Sequence, residues 1–211
     1  MSVPTIVPPR TRDEIIAALA KLHDESAAYW NAFDTDAFFQ SFGPSWSPAE
    51  NVRHLNKSTR PVALAMSLTR IALRLKFGKG AGTSIPFEQV RARYDDRLAA
   101  GGKAGPYAPG PRAASDLERW RGDIMRESAN IQSKLIAAVR KWRDDLLDRY
   151  QLPHPLLGNL TLREMLFFTL YHQLHHIEVV ERKRMEDRRP RLSFATTKDG
   201  QARAPVLHDP L

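Results

Sequence analysis

Apolar residues recur every three to four positions in four long stretches of the chain, which is the spacing of amphipathic α-helices. No stretch shows the strict alternation of apolar and polar residues that is typical of a half-buried strand. Three stretches open with a Ser or Thr that is followed three residues later by Glu, the signature of a helix N-terminus, at Thr11, Ser47 and Thr161. The pattern predicts an all-α fold.

The predicted helices are separated by segments of different length and composition. Helix one is expected over residues 11–33, helix two over 47–76, helix three over 115–150 and helix four over 161–185. The Gly- and Pro-rich segment 77–113 is expected to be a long crossover between helices two and three, with a short helix over 87–99. Four long helices with one long crossover predict a four-helix bundle.

Two segments without helical periodicity flank the predicted bundle. Residues 1–10 are Pro-rich and are expected to be extended, and residues 186–211 are expected to form a basic, flexible tail. The bundle itself is expected to occupy residues 11–185, which is long enough for one domain with a sizeable core.

The chain carries a formal net charge of +8, and much of the basic excess lies in one segment. Residues 182–192 contain six Arg or Lys against two acidic residues, whereas both signs are interspersed elsewhere. A solvated tail accounts for this excess. The sequence contains no recognition-helix motif and no interleaved aromatic and basic residues, so it does not favour a nucleic-acid partner.

The 211 residues include no cysteine. This excludes disulfides, thiolate metal ligands and a cysteine nucleophile, and it is compatible with a reducing compartment. The N-terminus lacks the pattern of a signal peptide, and no run approaches the roughly 18 apolar residues of a membrane span. We therefore expect a cytoplasmic protein without a membrane partner.

Two histidines lie four residues apart in the most apolar predicted helix, TLREMLFFTLYHQLHHIEVVER. His172 and His176 project about 40° apart on one helical face, so both can bind one metal ion. His175 lies about 60° from His172 on the other side and points away from that pair. His54 lies on the inward stripe of helix two and is the candidate third ligand. His23, His154 and His208 are expected to be surface or loop residues.

Three inward histidines have two interpretations. They are either core residues satisfied by hydrogen bonds or the ligands of a divalent transition metal. Because each buried imidazole is costly without a partner, three of them in one bundle favour the metal. Three imidazoles suit zinc and nickel alike, and a site with three protein ligands leaves a position open for water or substrate.

Helix four is apolar on more faces than one bundle interior requires. Its residues away from the histidine face are Phe167, Leu170, Tyr171, Leu174 and Ile177. We expect a second subunit to cover them in a two-fold homodimer, with the 77–113 crossover as the competing cover.

Two segments resemble the DinB-like superfamily, particularly its DinB_2 branch: WSPAENVRHL at 46–55 and HPLLGNLTLREMLFFTLYHQLHHIEVVER at 154–182. The resemblance covers about residues 11–185. It implies a four-helix bundle in which His54, His172 and His176 bind a divalent metal, often within a dimer. It also implies a metal-dependent enzyme, since members of the family include thiol transferases, a thiol-dependent isomerase and proteins described as metal-dependent hydrolases.

Three hypotheses for function follow. The first is an enzyme that transfers a low-molecular-weight thiol to a small electrophile, or a hydrolase that uses the same metal. A hydrolase normally needs a general base near the metal, and only Glu50 is near the histidine stripes, where capping already explains it. The second hypothesis is a non-enzymatic binding or stress-response bundle, and the third is a bundle that retains the fold without a catalytic role.

Overall fold

The computed structural model describes residues 2–111 and 114–187. The α-helices of this part are α1 (Arg12–Asn31), α2 (Thr35–Phe39), α3 (Pro48–Met66), α4 (Arg70–Phe77), α5 (Phe87–Ala99), α6 (Leu117–Val139) and α7 (Leu162–Asp187). Short 3-10 turns span Gly105–Tyr107 and Asp144–Leu146. Strands β1 (Gln151–His154) and β2 (Gly158–Thr161) form an antiparallel hairpin just before α7.

The long helices α1, α3, α6 and α7 form the predicted bundle. α1 and α3 each pack against both α6 and α7. α1 and α3 therefore lie diagonally across the bundle from each other. The crossover helix α5 packs on the outside of α7. This arrangement confirms the all-α, four-helix prediction and the long crossover between the second and third long helices. It also brings α3 and α7, which carry the three candidate histidines, into contact.

Reciprocal caps fix where the histidine-bearing helices begin. The Ser47 hydroxyl accepts from the backbone N–H of Glu50 at 3.2 Å, and the Glu50 carboxylate accepts from the backbone N–H of Ser47 at 2.8 Å. Thr161 and Glu164 make the same pair of bonds at the start of α7, at 3.1 and 2.9 Å. Each capping box therefore satisfies two free backbone donors and sets the helical register of the residues that follow.

The second long helix is shorter than predicted. It ends at Met66 rather than near residue 76, and a separate helix, α4, begins after Thr69. Side chains satisfy the freed carbonyls at this end, because the Ser67 hydroxyl donates to the Ala63 carbonyl and the Trp142 indole donates to the Met66 carbonyl, both at 2.9 Å. The Thr69 side chain then caps α4 through the backbone N–H of Ala72.

The third long helix also ends early, at Val139 rather than near residue 150. Apolar residues continue at helical spacing beyond it, but the chain turns there and buries Trp142 and Leu147 in the core. The acidic residues of this turn bind Arg163 at the start of α7. Tertiary contacts thus replace the last turns of the helix that periodicity predicts.

The hairpin β1–β2 was absent from the predicted elements. Each strand has four residues, which is too short for an alternating pattern to be recognised. Leu152 and Leu160 are paired across it and both are buried in the core. Pro153 and Pro155, which were expected to follow helix three, lie in or beside this hairpin.

The chain itself covers the outer face of α7. Phe167, Leu170, Tyr171, Leu174 and Ile177 are all buried within one chain. The Tyr171 hydroxyl donates to Asp95 of α5 at 2.6 Å, so the crossover covers this part of the face and a second subunit is not needed there. The homodimer stays a prediction, but the apolar outer face of α7 no longer supports it.

Within the described residues, no helix is long and apolar enough to cross a membrane. The expected basic tail, apart from its first two residues, lies outside the described residues, as does His208.

Candidate metal centre

The imidazoles of His54, His172 and His176 meet between α3 and α7. The Nε2 atom of His172 lies 3.0 Å from Nε2 of His54 and 3.1 Å from Nε2 of His176. All three side chains are buried, and their nearest ring nitrogens lie within 4.8 Å of one another. The structure therefore brings together the three residues that the sequence analysis selected, whereas metal binding by them stays a prediction.

Asn51 determines the tautomer of His176. The Asn51 amide nitrogen donates to the backbone carbonyls of Trp46 and Ser47, at 3.2 and 2.9 Å, which leaves its oxygen facing the ring. Nδ1 of His176 lies 2.6 Å from that oxygen and must carry the proton of this hydrogen bond. The Nε2 atom of the neutral ring consequently has a free lone pair directed at the other histidines.

The backbone carbonyl of Tyr107 determines the tautomer of His54 in the same way. Nδ1 of His54 lies 2.9 Å from the Tyr107 carbonyl, so this nitrogen also donates and its Nε2 atom is unprotonated in the neutral ring. The loop is held in place from the same helix, because the Arg53 guanidinium donates to the Gly110 carbonyl at 2.8 Å. α3 thus supplies both the ligand candidate and the anchor for the carbonyl that orients it.

The convergent lone pairs fit a cation better than a hydrogen-bond network. Nε2 of His172 carries at most one proton in a neutral ring, yet it faces two unprotonated nitrogens. Two imidazole nitrogens bound to one zinc ion at tetrahedral angles stand about 3.3 Å apart, near the observed separations. A second partner on the far ring nitrogen, as on His54 and His176, is the usual arrangement around metal-bound histidines.

Burial keeps the three rings uncharged. It lowers the pKa of His172 and His176 well below the ordinary value of 6.5. Burial also lowers the pKa of His54, against a smaller opposing effect of the Tyr107 carbonyl. Neutral imidazole is the form that binds zinc and related ions, so no proton has to be removed at pH 7.

A cavity of about 260 Å³ opens beside the triad, and His54 and His172 form part of its wall. Its other polar or titratable wall residues are Ser58, Tyr94, Lys103, Tyr107 and His154. The remaining wall is apolar, with Phe77, Leu152 and Phe168 among its larger side chains. Burial raises the pKa of Tyr94 to about 12, so its hydroxyl remains protonated. Of the described residues, no Asp or Glu lines this cavity.

The other histidines of the described part of the chain do not belong to the triad. His175 is not part of the triad and lines a second hollow together with Trp46, Lys183 and the triad residue His176. His23 is half-buried on α1. His154, expected to be an ordinary loop residue, instead lines the cavity beside the triad, with its ring 4.2 Å from that of Phe168. That expectation was wrong because the hairpin that carries His154 was not predicted.

Asn51 is the second residue that the sequence analysis missed. It precedes His54 by one helical turn, so helical spacing alone could have placed it near the site. Its contribution depends on the backbone carbonyls that orient its amide, which no sequence pattern reveals.

Replacing Asn51 with leucine is expected to weaken zinc binding by about 10–100-fold, because His176 loses the acceptor that fixes its ring. Competition with a chromophoric chelator measures this affinity. Asn56→Leu is the matched control, since Asn56 is also buried on α3 but donates to the Ile124 carbonyl, away from the triad. Equal zinc affinities for the two variants would contradict an orienting role for Asn51.

No functionally curated protein matches the sequence significantly. Two solved structures are similar: TT2238, described as a four-helix bundle protein, and YfiT from Bacillus subtilis, described as a probable metal-dependent hydrolase with an unusual four-helix bundle topology. TT2238 is 17% identical with a TM-score of 0.49, over 82% of this chain and 99% of TT2238. YfiT is 12% identical with a TM-score of 0.47, over 89% of this chain and 93% of YfiT.

The family profile DinB_2, which describes the DinB superfamily, matches residues 10–180. This match spans α1 to α7 and includes all three histidines of the triad. The chain therefore belongs to the DinB superfamily.

Proposed function

We propose that this protein is a metal-dependent enzyme that transfers a low-molecular-weight thiol to a small, largely apolar electrophile. The observation that carries the proposal is the position of two triad histidines, His54 and His172, in the wall of an apolar cavity without a carboxylate among the described residues. His54, His172 and His176 are the proposed ligands of a divalent transition metal, with zinc or nickel the ions that three imidazoles suit. When bound, such an ion lowers the pKa of a coordinated thiol and so supplies a thiolate at neutral pH.

The residues around the cavity support thiol transfer over hydrolysis. A hydrolase needs a general base near the attacking water, and Glu50, one helical turn before His54 on α3, is already engaged in other contacts. Glu50 accepts from both the backbone N–H and the hydroxyl of Ser47, at 2.8 and 3.0 Å, and so acts as a helix cap. Thiol transfer does not need a protein base of this kind once the thiolate is available.

The cavity wall also defines what the acceptor has to be. Most of the wall is apolar, so desolvation favours a hydrocarbon or aromatic body. Lys103 is the one charged side chain that the described residues contribute to this wall, and it is exposed to solvent. Because the chain has no cysteine, the sulfur nucleophile has to come from a second substrate.

The test is a thiol-transfer assay on the purified protein. Zinc- or nickel-loaded protein is mixed with mercaptoethanol and monochlorobimane, which becomes fluorescent when it reacts with a thiol. We expect turnover above the uncatalysed rate, loss of that turnover after chelation and recovery when zinc or nickel is restored. The His175→Ala variant is the control and is expected to retain activity, because His175 is neither part of the triad nor part of the wall of the apolar cavity.

A parallel assay with para-nitrophenyl acetate, without thiol, tests the hydrolase alternative. Chelator-sensitive hydrolysis without thiol transfer would replace the proposal with a hydrolase. Turnover that survives complete metal removal would exclude both metal-dependent versions.

A further inference from the structure

His154 lines the cavity and carries a hydrogen-bond donor that the triad does not use. Its Nδ1 atom accepts from the backbone N–H groups of Leu156 and Leu157, at 3.2 and 3.1 Å. Because a neutral imidazole carries one proton, that proton lies on Nε2. Within residues 2–111 and 114–187, no protein group makes a hydrogen bond to this Nε2–H.

The surroundings keep this imidazole neutral and fixed. Burial lowers the pKa of His154 to about 4, so the ring is uncharged above that pH. The two backbone N–H groups hold one ring edge, while Phe168 packs against the ring at a centroid distance of 4.2 Å. The same Phe168 ring stacks on His172 at 4.8 Å. His154 therefore lies one aromatic ring away from the triad, in the wall of the same cavity.

We infer that the Nε2–H of His154 binds the oxygen of a carbonyl-containing acceptor, and that the acceptor class is an α,β-unsaturated ketone or aldehyde with an apolar body. The inference rests on the proposed thiol transfer. A fixed N–H donor in an apolar wall favours an acceptor on which negative charge develops at oxygen during the reaction.

The reaction is an addition without oxidation or reduction. The thiolate sulfur forms a bond to the β-carbon, and the π electrons of the carbon–carbon double bond move toward the carbonyl oxygen. The His154 N–H donates to this oxygen while its charge is greatest. The proton lost by the thiol is then replaced from solvent at the α-carbon, so thiol and acceptor add without a leaving group.

Two substitutions separate the donor from the local structural role of the ring. His154→Asn retains an acceptor near the position of Nδ1 for the backbone of Leu156 and Leu157, but it removes the distal N–H. His154→Gln keeps an N–H at the far end of the side chain and loses the near acceptor. Each variant therefore keeps one of the two functions of the ring. His154→Asn keeps the acceptor for the backbone N–H groups, and His154→Gln keeps the distal N–H donor.

The acceptors for the assay are benzylideneacetone, which has a carbonyl oxygen, and benzyl chloride, which has none. With mercaptoethanol and zinc-loaded protein, His154→Asn is expected to slow the reaction of benzylideneacetone by roughly 100-fold, the effect of removing one such donor. The reaction of benzyl chloride is expected to be unchanged, and His154→Gln is expected to recover part of the benzylideneacetone rate. Loss of both reactions in His154→Gln, with His154→Asn unaffected, would show a structural role and overturn the inference.

Tyr94 is the competing donor, because its protonated hydroxyl belongs to a residue of the same wall. Tyr94→Phe is expected to leave the ratio of the benzylideneacetone rate to the benzyl chloride rate unchanged. A selective loss of the benzylideneacetone reaction in Tyr94→Phe, and not in His154→Asn, would assign the donor to Tyr94 instead.

A binding measurement keeps this inference separable from the proposed function. If neither acceptor reacts in the wild-type protein, thiol transfer to these acceptors is wrong, but the donor is still tested by the carbon-13 signal of carbonyl-labelled benzylideneacetone. We expect a downfield shift on binding to the zinc-loaded wild-type protein, and a smaller shift with His154→Asn. Equal shifts, or no binding to the wild-type protein, would overturn the inference.

Discussion

Replacing His172 with alanine is expected to leave the purified protein without bound metal. Nε2 of His172 is the atom that both other histidines approach, at 3.0 and 3.1 Å, and the two remaining imidazoles bind an ion only weakly. His54→Ala and His176→Ala are expected to lose most of the metal for the same reason. Elemental analysis of the wild-type protein, by contrast, should find close to one divalent transition metal per chain.

His175→Ala is the matched control for these three variants. It removes an imidazole from the same helix, one residue from a proposed ligand, and is expected to retain the metal. A filled site in His176→Ala together with an empty one in His175→Ala would contradict the arrangement of ligands. Circular dichroism of each variant shows that the helices remain, so that loss of metal is not confused with loss of the fold.

The second large effect is expected from Arg163→Ala, which should lower the free energy of unfolding by about 3 kcal/mol, the lower end of the cost of breaking a buried ion pair. The Arg163 guanidinium lies 2.8 Å from the Asp148 carboxylate and 3.1 Å from that of Asp144. It also donates to the Arg10 carbonyl at 2.7 Å. The lower end applies because the Asp144 side chain is half exposed and solvent screens its charge.

Urea unfolding measures this difference, with Arg149→Ala as the control. Arg149 makes an exposed ion pair with Asp145 at 3.5 Å, so its loss should cost less than about 1 kcal/mol. Similar losses of stability in the two variants would contradict a special role for the buried arginine.

The same contact makes part of the stability depend on pH. The hydrogen bond from Arg163 is the main cause that lowers the pKa of Asp144 below its ordinary value of 3.8. A carboxyl with a lowered pKa in the folded state stabilises the fold above its unfolded pKa and loses that contribution as the pH falls through the folded pKa. The wild-type protein should therefore lose more stability in strong acid than Arg163→Ala does.

The sequence was sufficient for the bundle and for the histidine triad because both depend on helical spacing. A capping box sets the register of α3 and another sets that of α7, so His54 and the pair His172 and His176 face inward by periodicity alone. Spacing also placed His175 outside the cluster, which agrees with the structure, whereas its exclusion as a metal ligand stays a prediction. These features are local, because each depends on the spacing of side chains within about 25 consecutive residues.

The helix ends and the partners of the triad could not be predicted because they arise from contacts distant in sequence. α3 stops where the Trp142 indole, from another part of the chain, donates to the Met66 carbonyl. α5 covers part of the outer face of α7, and periodicity alone cannot distinguish that cover from a second subunit. Asn51 and His154 owe their orientation to backbone groups, whose positions are known only once the chain is folded.

The loop that orients His54 has an energetic consequence beyond the site itself. Tyr107 both supplies the carbonyl that holds Nδ1 of His54 and forms part of the cavity wall. A molecule in the cavity that moves this loop would therefore change how firmly His54 is held, and an ion bound to His54 would in turn change how firmly the loop is held. By thermodynamic reciprocity, each occupant alters the affinity of the other by the same factor. We therefore expect metal binding by the triad and ligand binding in the cavity to be coupled through the hydrogen bond between His54 and Tyr107.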